Sequence, residues 1–289
     1  MKKKIAYFYL VTIILCFASC EEVGPVIILE ESQIALVDTN YISSTPITAG
    51  VKNILFEEFS GVRCFNCPAG NVATHDMVIT HGERIVPVTI HSDLLALPYT
   101  LEDPDLRNTD AELIANTLGP VGVKPSCFIN RKTINGDRLQ TSIGTWESSV
   151  LDELSTSTNV NMQLEILATN IVERTMTYRI TLEYASDVTG HNLGFFLTES
   201  HIIAEQLDGS IHVLDYEHEY ILRKSITPII GEPLTVDLLE NTVIIKEFEI
   251  DINDYDSANE WQIENMHLVA FIREANDNIA NATMVDIIE

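Results

Sequence analysis

The 289-residue chain is predicted to fold as an α/β layer domain followed by an all-β antiparallel sandwich. Two textures carry that expectation. Between residues 51 and 157, short apolar runs alternate with helix-like segments in the order β-α-β-α-β-α, the pattern of a layered α/β unit. After Thr158 the apolar period becomes two, as in strands with one face in a core and one in water. The expected organisation is a leader over 1–19, a lead-in tether over 20–50, the α/β domain over 51–157 and the sandwich over 158–289.

The α/β elements follow in order. An apolar and acidic run over 53–59 predicts a strand, and 68–81 predicts a helix. The β-branched run 85–91 reads as a buried strand, with Pro87 awkward inside it. Thr109 and Glu112 have capping-box spacing, so a helix is predicted to begin there and to stop at Gly119-Pro120. A strand follows over 123–130 with Pro125 in it, and Trp146, Val150, Leu151 and Leu154 mark one face of a last helix over 146–154. In the second half, Met176, Tyr178, Ile180, Leu182 and Tyr184 alternate with polar residues. Val160, Met162, Leu164 and Ile166 do the same, and turn signals recur at 187–190, 208–209 and 231–233.

Charge narrows the function. The chain carries 43 acids against 17 bases, a net charge of −26 with histidines neutral. The 158–289 segment holds 24 of those acids and 6 of the bases. Such a surface repels phosphate backbones, which excludes nucleic acid as a partner. The acids are interspersed among 46% apolar residues, which excludes wholesale disorder.

Lys2, Lys3 and Lys4 precede an apolar stretch over 5–17 that is too short for comfortable membrane spanning, the pattern of a secretory signal. Phe17-Ala18-Ser19-Cys20 resembles the bacterial lipobox, with Phe17 in place of the usual Leu. That resemblance implies lipid attachment at Cys20 and membrane association through acyl chains; the alternative is an ordinary signal peptide. Glu21 and Glu22 resemble the surface-export signal of Bacteroidota lipoproteins, against the alternative of a solvated linker. The implied location is the cell envelope, as an outer-membrane lipoprotein with its leaflet open.

Cys16 lies in the leader, which leaves Cys64, Cys67 and Cys127 beside Cys20. A CxxC pair in an exported chain is a redox pair, a structural disulfide or half of a zinc site. Zinc needs four ligands, and no second CxxC or HxxxH exists, so neither metal nor other cofactor is expected. The pair follows a strand and opens a helix, whose N-terminal partial charge favours a thiolate. Cys64 is the expected nucleophile and Cys67 the resolving thiol.

Strand, CxxC, helix and then Gly122-Val123-Lys124-Pro125 leading into a strand resemble the thioredoxin fold. The resemblance implies that Pro125 is cis and lies against the sulfurs. It also implies that Glu58, six residues before Cys64, is a buried acid that deprotonates the resolving thiol. Glu57 should point to the other face as an ordinary surface acid. Arg63 stands where thioredoxin has Trp and offers a cation to the Cys64 thiolate; Phe65-Asn66 replaces Gly-Pro, and Pro68 follows Cys67. These departures leave the redox potential open.

A second resemblance covers almost the whole mature chain. Phe56-Glu57-Glu58-Phe59-Ser60-Gly61 leading into Cys64-Phe65-Asn66-Cys67-Pro68 is similar to the opening of the Bacteroidota outer-membrane lipoprotein family named after a 28-kDa outer-membrane protein. Phe196-Leu197-Thr198-Glu199, Gln206, the run from Tyr216 through His218 to Arg223, Gly231 and Val269-Ala270-Phe271 fit its second half. This resemblance implies a thioredoxin-like domain followed by an immunoglobulin-like sandwich, and adhesin or receptor roles proposed for some members.

Weaker signals point to ordinary structure. Cys127 reads as a small buried hydrophobe, with an alternative disulfide to the CxxC pair as the sharper option. His212 and His218, six apart in a strand-like run, share a face, yet with His267 they are expected to be hydrogen-bonded structural histidines beside Arg223. The acidic stretch 251–260 lacks EF-hand spacing and reads as a solvated loop. Asp256-Ser257-Ala258 resembles a Bacteroidota O-glycosylation acceptor. No GxSxG appears, and Trp146 and Trp261 give little basis for a sugar platform. The expected function is thiol–disulfide exchange on protein thiols and disulfides, or with an envelope protein partner, through Cys64 and Cys67 with Glu58 and Pro125. The rival is a surface binding or adhesion lipoprotein in which the pair is a locked staple.

Overall fold

A computed structural model describes residues 35–119 and 121–288. The leader, Cys20, Glu21, Glu22 and the tether as far as residue 34 lie outside the described residues. The elements are β1 (Val37–Ile42), β2 (Gly50–Val51), β3 (Ile54–Ser60), α1 (Cys67–His81), β4 (Ile85–His91), α2 (Thr109–Thr117), β5 (Ser126–Ile129) and α3 (Trp146–Leu154). After them come β6 (Ser157–Thr158), β7 (Val160–Asn170), β8 (Thr175–Tyr184), β9 (Asn192–Glu199), β10 (Ile202–Asp208) and β11 (Ile211–His218). The chain continues through β12 (Ile221–Ser225), β13 (Glu232–Pro233), β14 (Thr242–Asp251), β15 (Met266–Arg273) and β16 (Ile279–Asp286).

One large mixed sheet organises both sequence segments, in the order β16-β15-β9-β12-β4-β3-β5 with β13 beside β9. β3 and β4 are parallel, whereas β5 runs antiparallel to β3. Within this sheet, the ladder that joins the segments is a single residue pair. β12 begins opposite Thr89 of β4, and the Thr89 amide donates to the Tyr220 carbonyl at 2.8 Å. Pro87 is tolerated for the same reason: it lies before the start of β12, where no ladder partner needs its missing N–H.

Alternation of side chains divides the core between the two faces of this sheet. Ile54 and Phe56 of β3 pack with Met77 of α1 and with Trp146, Val150 and Leu154 of α3. Leu55 and Phe59 point the other way, to Ala111, Ile114 and Ala115 of α2, in a cluster that continues to Phe196, Val269 and Phe271. A second antiparallel sheet, β1-β14-β8-β7, covers Phe195, Leu197, Leu268 and Ala270 of the large sheet. β8 behaves as its period demands, burying Met176, Tyr178, Ile180, Leu182 and Tyr184 and turning their neighbours outward.

Three expectations need correction. Glu57 is buried, because α2 and its cluster cover the face it points to; it receives a bidentate pair from Arg131 at 2.7 and 2.9 Å, both side chains fully buried. The α2 cap is Asn108, whose side chain accepts from the Ala111 amide at 2.8 Å, while Glu112 accepts instead from the Asp93 amide. The acidic stretch at 251–260 is no mere solvated loop: Asp256 is buried, pairs with Arg174 at 2.6 Å and accepts from the Trp261 amide at 2.8 Å.

Candidate functional site

Cys64 and Cys67 form a disulfide at the start of α1, with Pro68 in its first turn, where a missing N–H costs nothing. Cys64 keeps 4% of its surface exposed and Cys67 none. The Lys124–Pro125 peptide bond is cis and leads directly into β5. Gly70, one turn into α1, locates the remaining parts. A Cβ there would stand 2.6 Å from Oε1 of Glu58 and 2.8 Å from Cβ of Pro125. Glu58 and Pro125 therefore lie against the same stretch of helix that carries Cys67.

Glu58 projects from β3 toward α1 and is buried. Burial raises its carboxyl to about 8, opposed by the Thr74 hydroxyl, which donates to Oε2 at 2.5 Å. With the Asn71 amide oriented so that both ends meet a partner, its nitrogen donates to Glu58 Oε1 at 2.9 Å and its oxygen accepts from the Tyr216 hydroxyl at 3.0 Å. Cys127 faces Glu58 across the β3–β5 ladder as a free, buried thiol. Burial, then the Glu58 charge, push that thiol well above its ordinary range.

Arg63 does not offer its charge to Cys64. Its guanidinium donates to the carbonyls of Leu97 and Pro98, both at 2.6 Å, and lies over the Tyr99 ring. The β10–β11 hairpin, from the second half of the sequence, holds the CxxC loop instead. The Leu207 amide donates to Val62 at 2.8 Å and the Gly209 amide to Phe65 at 2.9 Å. The buried Gln206 amide reaches the Cys64 carbonyl at 3.2 Å and that of Gly61 at 3.3 Å. Nothing in the periodicity of the hairpin foretold this contact. The one sequence signal was Gln206, which appeared in the family pattern without a role.

The histidines diverge from expectation. His212 is exposed beside Glu205, whereas His218 is buried against His91 with ring centroids 5.4 Å apart, so the two do not form a joint site. Neither ring nitrogen of His218 has a hydrogen-bond partner of ordinary geometry. Burial lowers His218 to about 4 against a weaker raising pull from the Ala204 backbone. His267 does make structural bonds, to Asp286 at 2.7 Å and Ser200 at 3.0 Å. His201 with Glu217 and Glu219 places three potential ligand atoms within 4.8 Å of one another on the surface. Ordinary imidazole–carboxylate contacts of 2.6 and 3.2 Å account for that group.

The family described as "Outer membrane protein Omp28" matches residues 116–288. The chain belongs to this family. Omp28 membership makes it an outer-membrane protein, and among the described residues no helix is long and apolar enough to cross a membrane. The Omp28 match holds β5 to β16, the hairpin included, and begins after β1, Glu58, Cys64 and Cys67. Among solved structures, HBP35 of Porphyromonas gingivalis has a TM-score of 0.66 at 13% identity, over 83% of this chain and 77% of that one. A structural-genomics protein from Agrobacterium tumefaciens reaches 0.49 at 13% identity, covering 86% of this chain and 97% of its own. A domain of the outer membrane lipoprotein Omp28 from Porphyromonas gingivalis covers 45% of this chain and 89% of its own, at 14% identity and a TM-score of 0.30. No curated protein matches. The likeness to HBP35 concerns fold, and it spans both sequence segments.

Proposed function

We propose that this outer-membrane protein is a lipid-anchored thiol–disulfide exchange protein, with its acyl chains on Cys20 and a thioredoxin-like module carrying Cys64 and Cys67. The parallel β3–β4 pair, antiparallel β5, helices on both faces and the cis proline opening β5 support the thioredoxin-like assignment. The two facing antiparallel layers support an immunoglobulin-like sandwich for the second half. The observation that carries the proposal is Glu58. A carboxyl buried with no cation among the causes of its shift is costly to keep, and it lies against Gly70, one helical turn after Cys67, with a proton affinity near neutrality.

The exchange runs from the disulfide as follows. A thiolate of a partner dithiol attacks Sγ of Cys64, the less buried of the two cysteines, and the Cys64–Cys67 bond breaks. Cys67 leaves as a thiolate and takes the proton held by Glu58. The partner's second thiol, losing its proton to solvent, attacks its own sulfur in the mixed disulfide and releases Cys64. Two electrons pass from the partner dithiol to the pair. In reverse, ionised Glu58 takes the Cys67 proton, and Cys67 displaces the partner from Cys64.

A second reading, a binding protein with a locked staple, is favoured by the β10–β11 hairpin, which ties the carbonyls of Val62, Cys64 and Phe65. A soluble form lacking residues 1–20 separates the two. Exchange with a test disulfide, abolished by Cys64→Ser, is expected for the enzyme. Inertness at every redox poise, with a reduction potential below about −300 mV, would assign the staple.

A further inference from the structure

Glu58 must not only exchange a proton with Cys67 but also pass it on. Behind it, α1 and β11 enclose a cavity of about 230 Å³ lined by Glu58, Asn71, Thr74, Tyr216 and His218. That space is large enough for several waters. The second half of the sequence reaches Glu58 from this side through Tyr216, Asn71 and the carboxyl, each step a hydrogen bond of 3.0 or 2.9 Å. We infer that Tyr216 is a positioning residue for proton transfer at Glu58, acting through Asn71. The inference rests on the exchange reading above and extends its site into the hairpin.

The chemistry of the three groups favours a relay over a simple tether. When Glu58 is ionised it only accepts, so the Asn71 nitrogen must face it and the amide oxygen must take the Tyr216 proton. When Glu58 is protonated it can donate to the amide oxygen. The Asn71 nitrogen then turns to Tyr216, whose oxygen accepts at the same 3.0 Å. A hydroxyl serves both orientations, and serves the ionised one more strongly because the amide it polarises there donates to a full negative charge; a phenyl ring serves neither. Burial holds the Tyr216 phenol above its ordinary value, so it keeps the proton it must donate.

The titratable groups around Glu58 in the oxidised protein are His75 from α1, Cys127 from β5, and Tyr216, His218 and the rim acids Glu217 and Glu219, and reduction of the disulfide adds Cys67. No cation is among the causes of the Glu58 shift. Its ionised form therefore leans on the Thr74 and Asn71 donors, and Tyr216 strengthens the second by polarising the amide.

The test is an NMR titration of the Glu58 side-chain carboxyl in the oxidised full-length protein, where exchange activity plays no part. Tyr216→Phe removes one oxygen, and it is expected to raise the midpoint by roughly half to one pH unit. Mixed-disulfide resolution on the acid limb should slow about three- to tenfold, the same change expressed as a rate. Asn71→Ala should raise the midpoint at least as much, and adding Tyr216→Phe to it should change nothing further. A midpoint unmoved by Tyr216→Phe, or two shifts that simply add, would overturn the relay. If the midpoint moves as expected in a protein that performs no exchange, the coupling of Tyr216 to Glu58 stands and the exchange reading falls.

Discussion

Glu58→Gln should stabilise the oxidised protein, by an amount that grows with pH. In the folded chain burial raises this carboxyl from its ordinary 4.5 to about 8. The folded state therefore holds a proton that the unfolded chain has already released through that window. The associated stability is fully present below pH 4.5, declines as pH rises toward 8 and is gone above it. A difference of that size corresponds to about 5 kcal/mol as a ceiling. Glutamine cannot ionise, yet it matches the carboxyl in shape and can still accept from Asn71 and face the Thr74 hydroxyl. Urea unfolding in half-unit steps from pH 4.5 to 9 should give nearly equal stabilities at the acid end. Glu58→Gln should then be ahead by several kcal/mol at pH 8.5. A gap that is constant with pH, or that narrows as pH rises, would refute the argument that Glu58 is a buried, uncompensated acid.

Other outcomes follow from single contacts. Arg131→Met should cost about 3–5 kcal/mol in urea unfolding because it strands the buried Glu57 carboxylate, and the double change with Glu57→Gln should recover most of that loss. Gly70→Ala forces a methyl between Glu58 and Pro125, so it should destabilise by about 1–3 kcal/mol and lower exchange activity without removing either cysteine. His218 is depressed to about 4 from 6.5, so its contribution is present above pH 6.5 and lost as pH falls toward 4, up to about 3 kcal/mol. His218→Phe should flatten that acid-side loss, and unfolding curves at pH 4.5 and 7 compare it directly.

How far the sequence was legible depended on the range of the interaction. The helix start at Cys67 could be read because Pro68 and the preceding strand are local signals, and the alternation of β8 survives because one side of it meets a core. Glu58, six residues before Cys64, is marked by the thioredoxin resemblance and not by any pattern of its own. Its neighbour Glu57 was misread because an acid at the alternate position reads as wet, and only α2 and Arg131, distant in sequence, make that face dry. The α2 cap was displaced by one residue because Asn108 and Thr109 are both capping types, and Glu112 is occupied by the Asp93 amide. The link from Tyr216 to Asn71 spans 145 residues and left no trace in local pattern. The joining of both segments through β12 and β4 was equally hidden, since a five-residue strand such as Ile221–Ser225 carries no mark of its parallel neighbour.

The central claim is that Cys64 and Cys67 exchange disulfides, and a redox titration of that pair in the folded protein tests it most directly. It should be read by alkylation and paired with a Cys67→Ser trap in cells. An exchange pair has a midpoint within the range of such enzymes, roughly −120 to −270 mV, with Cys64 captured in mixed disulfides. A midpoint below about −300 mV with an empty trap would contradict the claim and leave the pair as a staple beneath the β10–β11 hairpin.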